Sequence, residues 1–296
     1  KKIQNQFELK GNVFAIPFIF KLKTKNDLII EKEFLFKTKT LNLDIFNNHI
    51  IEKDKSTTGT NSISFLNSII DTKYKLIDKN FVFTSKNSKI NNFKINYDGE
   101  LSINPFDLDL HISLDNYKIS KLFNFNSILV EFLKTGLLFN ENISLSILIS
   151  ANANKQDKFF DNAKIYFNVL NGNINIDRTS FVNDDIGSLK LKNSSFFIQN
   201  NKLILNTTLF FNVKDSDRLF SFLNTNKRLR KNIKSIIVNI DYDYQNDEIK
   251  FNNVKIDNKE TSDKFMNIID GFNDINLNNL IRSRRLLNEL IGAYEG

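Results

Sequence analysis

Residues 98–116 read DGELSINPFDLDLHISLDN, and apolar and polar side chains alternate almost throughout. Successive side chains on a β-strand point to opposite faces, so this period describes a strand that is greasy on one side only. The phase slips once. Leu101 and Ile103 fall on odd numbers, Phe106, Leu108, Leu110, Ile112 and Leu114 on even ones, and Pro105 sits at the change. Proline has no N–H to give to a ladder, so the slip predicts a bulge or a strand break. A chain built from such segments must fold as sheet, with its apolar side against a packed core or an apolar ligand.

The pattern recurs along the chain. Segment 14–46 predicts two or three strands with a turn at Lys25-Asn26-Asp27. Segment 73–103 predicts three more, turning near Asp78-Lys79-Asn80, Ser88 and Asp98-Gly99. NISLSILIS (142–150) places Ile143, Leu145, Ile147 and Ile149 on one face. KIYFNVLNGNINID (164–177) reads as a hairpin, with Asn171-Gly172 suited to a two-residue turn. Three strands follow over 187–213, hinged at Asn193-Ser194 and Asn200-Asn201, and a hairpin over Gln245-Asn246 spans 235–257. The total is about a dozen strands at all-β spacing. With nine Gly and two Pro in 296 residues, Asn, Asp and Ser must make most turns.

Three segments carry helical spacing instead. In 118–139, Ile128, Leu129, Phe132 and Leu133 share a stripe that ends near Gly136. SDRLFSFLNT (216–225) reads as one short amphipathic helix. In 262–294, Ser262 is a candidate N-cap, and Phe265, Ile268, Ile269 and Phe272 form a stripe. Leu286, Leu287, Leu290 and Ile291 continue it after a break at Asp270-Gly271. Expected is a single β-rich region, 1–296, with strands over about 5–115 and 142–257 and helices over about 118–138 and 262–293. Its fold class is mainly β: an antiparallel meander forming a curved sheet, groove or open sandwich, with a mid-chain helix and a C-terminal helical segment.

Little in the sequence resembles a catalytic centre. There is no Cys, so disulfides, thiolate metal sites and cysteine nucleophiles are all excluded. No G-x-S-x-G elbow or phosphate loop is present. The two histidines, His49 and His111, read as exposed or half-exposed strand residues, and Asp107, Asp109, Asp115, Asp241 and Asp243 as solvated polar faces. DYDYQNDEIKFN lacks the glycine that a calcium loop needs at its sixth position. The expectation is a protein that is not an enzyme, with no catalytic residues, metal or cofactor.

The formal charge is +7, which suits an anionic partner but also follows from lysine-rich composition alone. Two basic clusters stand out: Lys227, Arg228, Arg230, Lys231 and Lys234, and then Arg282, Arg284 and Arg285. Nucleic acid is not expected, because no binding module or exposed aromatic interleaving accompanies them. Phospholipid headgroups are the other anionic candidate, each nearby basic residue contributing about 1 kcal/mol. The plain reading is a solvated turn and a helix face, with Arg285 and Glu289 pairing at i,i+4. No stretch reaches the length of an apolar membrane span and no signal peptide is evident. The opening KKIQNQFELKGN lacks Met and begins in strand-like alternation, which predicts a piece of a longer protein. The 29 Phe, abundant alongside Ile, Lys and Asn, match the composition of an AT-rich coding bias and carry no functional weight by number.

The order of motifs resembles the C-terminal region of AsmA-like proteins of Gram-negative bacteria. A G-x-L-x-I-x-P-F entry (Gly99 to Phe106) leads into alternating Asp and Leu and then an apolar helix. LLFNENISLSI, FNVLNGNINIDRTSF and IGSLKLKNSSFFIQNNKLILNTTLFFNVKDSDRLFSFL follow, so the resemblance covers about residues 80–295. It implies a periplasmic body held to the inner membrane by an N-terminal anchor that this chain does not contain. It also implies an apolar β-groove through which phospholipid acyl chains pass between inner and outer membranes, with possible envelope protein partners and no catalytic residues. On that reading Phe106, Leu108, Leu110, Ile112, Leu114, Ile143, Leu145, Ile147 and Ile149 line the groove. Lys227, Arg228, Arg230, Lys231, Arg282, Arg284 and Arg285 meet headgroups. The alternative is a structural or assembly-factor β-protein of the envelope, which would use the same apolar residues as ordinary core and bind other proteins. Alternation alone does not separate a groove from a closed sandwich.

Overall fold

The computed structural model describes residues 3–13, 15–26, 29–91, 93–119, 130, 133–154, 160–259, 263–271, 275–276 and 280–294. These residues form a mainly β protein, an antiparallel meander of eighteen strands with three α-helices. The strand count exceeds the dozen expected because several strands alternate weakly, Thr57–Phe65 above all, where Thr, Gly and Asn occupy apolar-side positions. The chain divides into two compact units. One comprises Lys1–Tyr117 with Leu145–Ala151, the other Lys118–Ser144 with Asn152–Gly296.

In the first unit, nine strands follow one another: β1 (Ile3–Val13), β2 (Ile16–Asn26), β3 (Ile30–Thr38), β4 (Leu43–Ile51), β5 (Thr57–Phe65), β6 (Ser68–Ile77), β7 (Asn80–Ile90), β8 (Phe93–Ile103) and β9 (Phe106–Tyr117). Each pairs antiparallel with the next. The phase slip at Pro105 is a strand break. Ile103 pairs with Phe106 across a tight turn, so odd residues of β8 and even residues of β9 share one face. Asp98-Gly99 is not a turn but the middle of β8. A side chain on Gly99 would lie 2.3 Å from the Asp109 carbonyl and 2.8 Å from the Phe83 ring, so glycine is there for close approach. Nor is Ser88 a turn: β7 carries a bulge between Ser85 and Ser88. The Ser88 hydroxyl accepts from the Asp71 N–H at 2.9 Å, replacing the ladder bond that the extra residue displaces.

The second unit contains β11 (Asn162–Leu170), β12 (Asn173–Asn175), β13 (Ser180–Asn183), β14 (Gly187–Gln199), β15 (Lys202–Val213), β16 (Ser235–Asp243), β17 (Glu248–Ile256) and the short β18 (Ile275–Asn276), after β10 (Ile143–Ala153), whose middle belongs to the first unit. The hairpins at Asn171-Gly172, Asn200-Asn201 and Gln245-Asn246 are present. Asn193-Ser194 is a bulge inside β14, not a hinge: Asn193 has φ 50° and the register shifts between Lys192 and Ser195. Twelve of the sixteen described non-glycine residues at positive φ are Asn or Asp, as the scarcity of glycine requires.

The helices are α1 (Ser216–Leu223), α2 (Asp263–Asp270) and α3 (Leu280–Ala293). Asp215 caps α1 by accepting from the Arg218 N–H at 3.0 Å, and Asn224 ends it in the left-handed region. Phe220, Leu219 and Leu223 of α1, Ile269 of α2, and Leu286, Leu290 and Ile291 of α3 are buried, as are Leu203, Phe167, Phe196, Tyr242 and Tyr244 of the strands and turns. Each such apolar side chain contributes about 1.5–3 kcal/mol when fully buried. Thr225 Oγ1 donates to Asn288 Oδ1 at 2.5 Å and ties α1 to α3. The mid-chain helix expected over 118–138 falls mostly outside the described residues; within it Val130 and Leu133 are helical and buried. Ser262 and the Phe265 and Phe272 side chains also lie outside them.

Candidate functional site

The pairing of β1 to β9 sorts the first unit's side chains onto two faces. One carries Glu8, Lys10, Lys21, Lys23, Lys25, Glu31 and Glu33, joined by ion pairs of 3.0–3.5 Å. Lys37–Asp44 at 2.8 Å and Ser62–Asp71 at 2.6 Å continue it. The opposite face is mainly apolar, although Ile19, Leu35, Phe46 and Ile69 lie on the charged one and Lys32 and His49 on the apolar one. Phe7, Leu9, Phe18, Phe20, Leu22, Phe34, Phe36, Ile45, Ile63, Ile70, Phe81, Phe83, Ile95 and Leu101 lie on it, and the β9 series of Phe106, Leu108, Leu110, Ile112 and Leu114 completes it. Rings meet their neighbours across the strands, Phe20 with Phe34 at 5.1 Å and Phe18 with Phe36 at 5.8 Å.

Within this unit the described residues form strands and turns and include no helix. Its large side chains are accordingly only half-buried, and Phe7, Leu9, Ile30, Phe65, Ile103 and Phe106 are exposed, Phe7 by 53%. Exposed apolar side chains grouped on one face make this face the candidate interaction surface.

The expected lining residues divide accordingly. Phe106 is 40% exposed, Leu108, Leu110 and Ile112 are half-buried, and Leu114 is buried. Leu145 is buried and Ile147 and Ile149 are half-buried in the same unit, whereas Ile143 groups with the other unit. Alternation in β9 located one edge of a much larger face. The signal that finds the rest is parity carried through each turn: odd positions in β1, even in β2 and β3, odd in β4 and β5.

The basic candidates all belong to the second unit. Lys227 and Arg228 are exposed on a 3-10 turn. Arg230 donates to the Thr225 carbonyl at 3.2 Å, and Lys231 to the Tyr294 carbonyl, so both hold structure. Arg285 pairs with Glu289 at 2.8 Å, the i,i+4 partner expected, while the Arg282 and Arg284 side chains lie outside the described residues. An open recess of about 530 Å³, lined by Leu223, Leu229, Arg285, Asn288 and Gly292, adjoins this cluster.

The polar candidates have plain roles. Asp241 accepts from Asn206 at 2.6 Å and from Asn252 at 2.7 Å, fastening strand neighbours. Burial opposes ionisation of Asp243, but Lys202 at 2.8 Å and the N–H groups of Gln245 and Asn246 hold its carboxyl below the usual value. His111 is on the polar face between Asp98 and Asp109, at 3.4 and 3.5 Å. His49 is on the apolar face, and desolvation, aided by the neighbouring Lys32 charge, depresses its pKa. Among the described residues no group of three or more acids or histidines is placed to hold a metal, and no helix is long and apolar enough to cross a membrane.

Comparison with family models, with curated proteins and with solved structures returned no match.

Proposed function

We propose that the chain is a non-catalytic lipid-handling protein whose first unit holds phospholipid acyl chains on its apolar face. The observation that carries this is the one-sided sheet: nine strands with charged ion pairs on one face and half-exposed Phe, Leu and Ile on the other. Ordinary core would cover that face with a second layer. The AsmA-like motif order supports the same reading. On this reading the protein works in the Gram-negative envelope, conducting phospholipid between inner and outer membranes. Lys227 and Arg228, exposed on their 3-10 turn, are candidates for anionic headgroups.

The test is native mass spectrometry with lipid extraction on chain expressed in a bacterial periplasm. Phospholipid co-purifies stoichiometrically, and Leu110→Asp removes it while circular dichroism stays β-rich, because a half-buried position tolerates a charge that a core would not. Lipid-free wild-type protein, or a folded Leu110→Asp variant that keeps its lipid, contradicts the proposal.

A further inference from the structure

The apolar face is crossed by a polar row over β4 to β8, beside a second polar set, Asn5, Thr24, Lys32 and His49, over β1 to β4. Asn47 of β4 pairs with Asn61 of β5, Asn61 with Thr72 of β6, and Ser85 of β7 with Tyr97 of β8. Thr72 and Ser85 adjoin, one step beyond the Lys73–Thr84 pair. Five polar side chains thus stand side by side across five strands, a line of about 19 Å at the ordinary strand spacing. To one side lie Ile45, Ile63, Ile70 and Ile95; two rows away on the other lie Ile51, Leu76, Phe81 and Leu101. A lone polar residue on such a face is unremarkable, but five in register are not what amphipathic alternation produces.

The row has a built geometry. Tyr74 crosses β5 above Gly59, where a Cβ would lie 2.4 Å from its ring, and its hydroxyl meets Asn47 Nδ2 at 3.0 Å. His49 Nδ1 lies 3.2 Å from Asn47 Oδ1. Thr72 Oγ1 and the Tyr97 hydroxyl are 2.5 Å apart, and Ser85 and Ser88 share a bond of 2.6 Å. The five side chains of the row are neutral amides and hydroxyls, which donate to uncharged acceptors, while His49 and the Lys32 cation stand in the next row at its β4 end.

We infer that this row receives the ester linkages of a glycerophospholipid, whose acyl chains lie on the apolar rows beside it and whose charged headgroup stays off it. This rests on the lipid-handling reading and adds to it which part of the lipid is recognised. Ester carbonyls are good acceptors for Asn, Thr and Tyr donors, whereas an ether-linked lipid of the same headgroup and chains presents only weakly accepting oxygens.

The experiment offers the purified chain an equimolar mixture of diacyl and dialkyl phosphatidylethanolamine of equal chain length in vesicles, and counts bound lipid by native mass spectrometry. The diacyl form is retained about tenfold over the dialkyl form. Asn61→Leu with Thr72→Val brings the ratio to about one while total bound lipid holds or rises. Thr72→Val alone, the mildest change, lowers the ratio partway, and Thr60→Val on the opposite face of β5 leaves it unchanged. Equal retention of both lipids by the wild type, or an unchanged ratio in the double variant, overturns the inference but leaves the lipid-handling reading standing. Retention of neither lipid overturns both.

Discussion

The two units are made of similar strands and differ in what their apolar residues meet. Of the 35 buried hydrophobic residues among those described, three (Leu114, Leu145 and Ala151) belong to the first unit. The second unit holds the remainder, including residues of its helices and its aromatic cluster of Phe167, Phe196, Tyr242 and Tyr244. Period-two alternation is therefore a statement about one strand's two faces, not about what covers them. Leu203 and Leu110 are both apolar strand residues, yet Leu203 is 1% exposed and Leu110 is half-buried. Covering requires a second element, and the helices among the described residues belong to the second unit.

That contrast is sharpest for truncations. Phe220→Ala, at a residue 1% exposed, should cost about 3–5 kcal/mol in urea unfolding. Phe20→Ala, a half-buried neighbour of Phe34, should cost about 1 kcal/mol, in proportion to the smaller area it removes from water. Equal costs would mean that the first unit is packed as tightly as the second.

Gly59→Ala tests whether the first unit nonetheless has steric structure of its own. The new methyl would meet the Tyr74 ring at 2.4 Å and the Asn48 carbonyl at 2.7 Å. A loss of about 1–3 kcal/mol is expected, and a neutral result would contradict the placement of Tyr74 over β5.

His49 provides a smaller, pH-dependent effect. Desolvation lowers its folded-state pKa below the unfolded value of about 6.5. The unfolded chain then binds more protons between the two pKa values, so stability falls as pH drops through about 6.5 and levels off below the folded pKa. His49→Gln should remove this acid-side loss, read as a smaller difference in urea midpoint between pH 8 and pH 5. Smallest is Arg285→Ala on the surface of α3, where the pair with Glu289 contributes no more than about 0.5 kcal/mol and weakens with salt.

Much of this architecture is legible in sequence where local chemistry decides it. Asn171-Gly172 specifies its own turn, and the α1 stripe of Leu219, Phe220 and Leu223 specifies a helix with a buried side. Ser88, Asn193 and Gly99 misled for one physical reason. A small or turn-forming residue also serves at a bulge or beneath a neighbour's ring, and that role depends on the partner strand. The candidate site was legible only at its β9 edge. Its extent, and the polar row across it, depend on cross-strand register, which assembles Asn47, Asn61, Thr72, Ser85 and Tyr97 from five strands that show nothing unusual singly.

The central claim is that the first unit's apolar face is a lipid surface. Photo-crosslinking tests it most directly, with a phospholipid carrying a diazirine on an acyl chain and the adducts mapped by peptide mass spectrometry. Adducts should concentrate in β2 to β9 at the apolar-face positions, among them Phe20, Phe34, Ile63 and Leu110, and disappear when unlabelled phospholipid competes. Adducts confined to the second unit, spread over the charged face, or indifferent to competitor would contradict it.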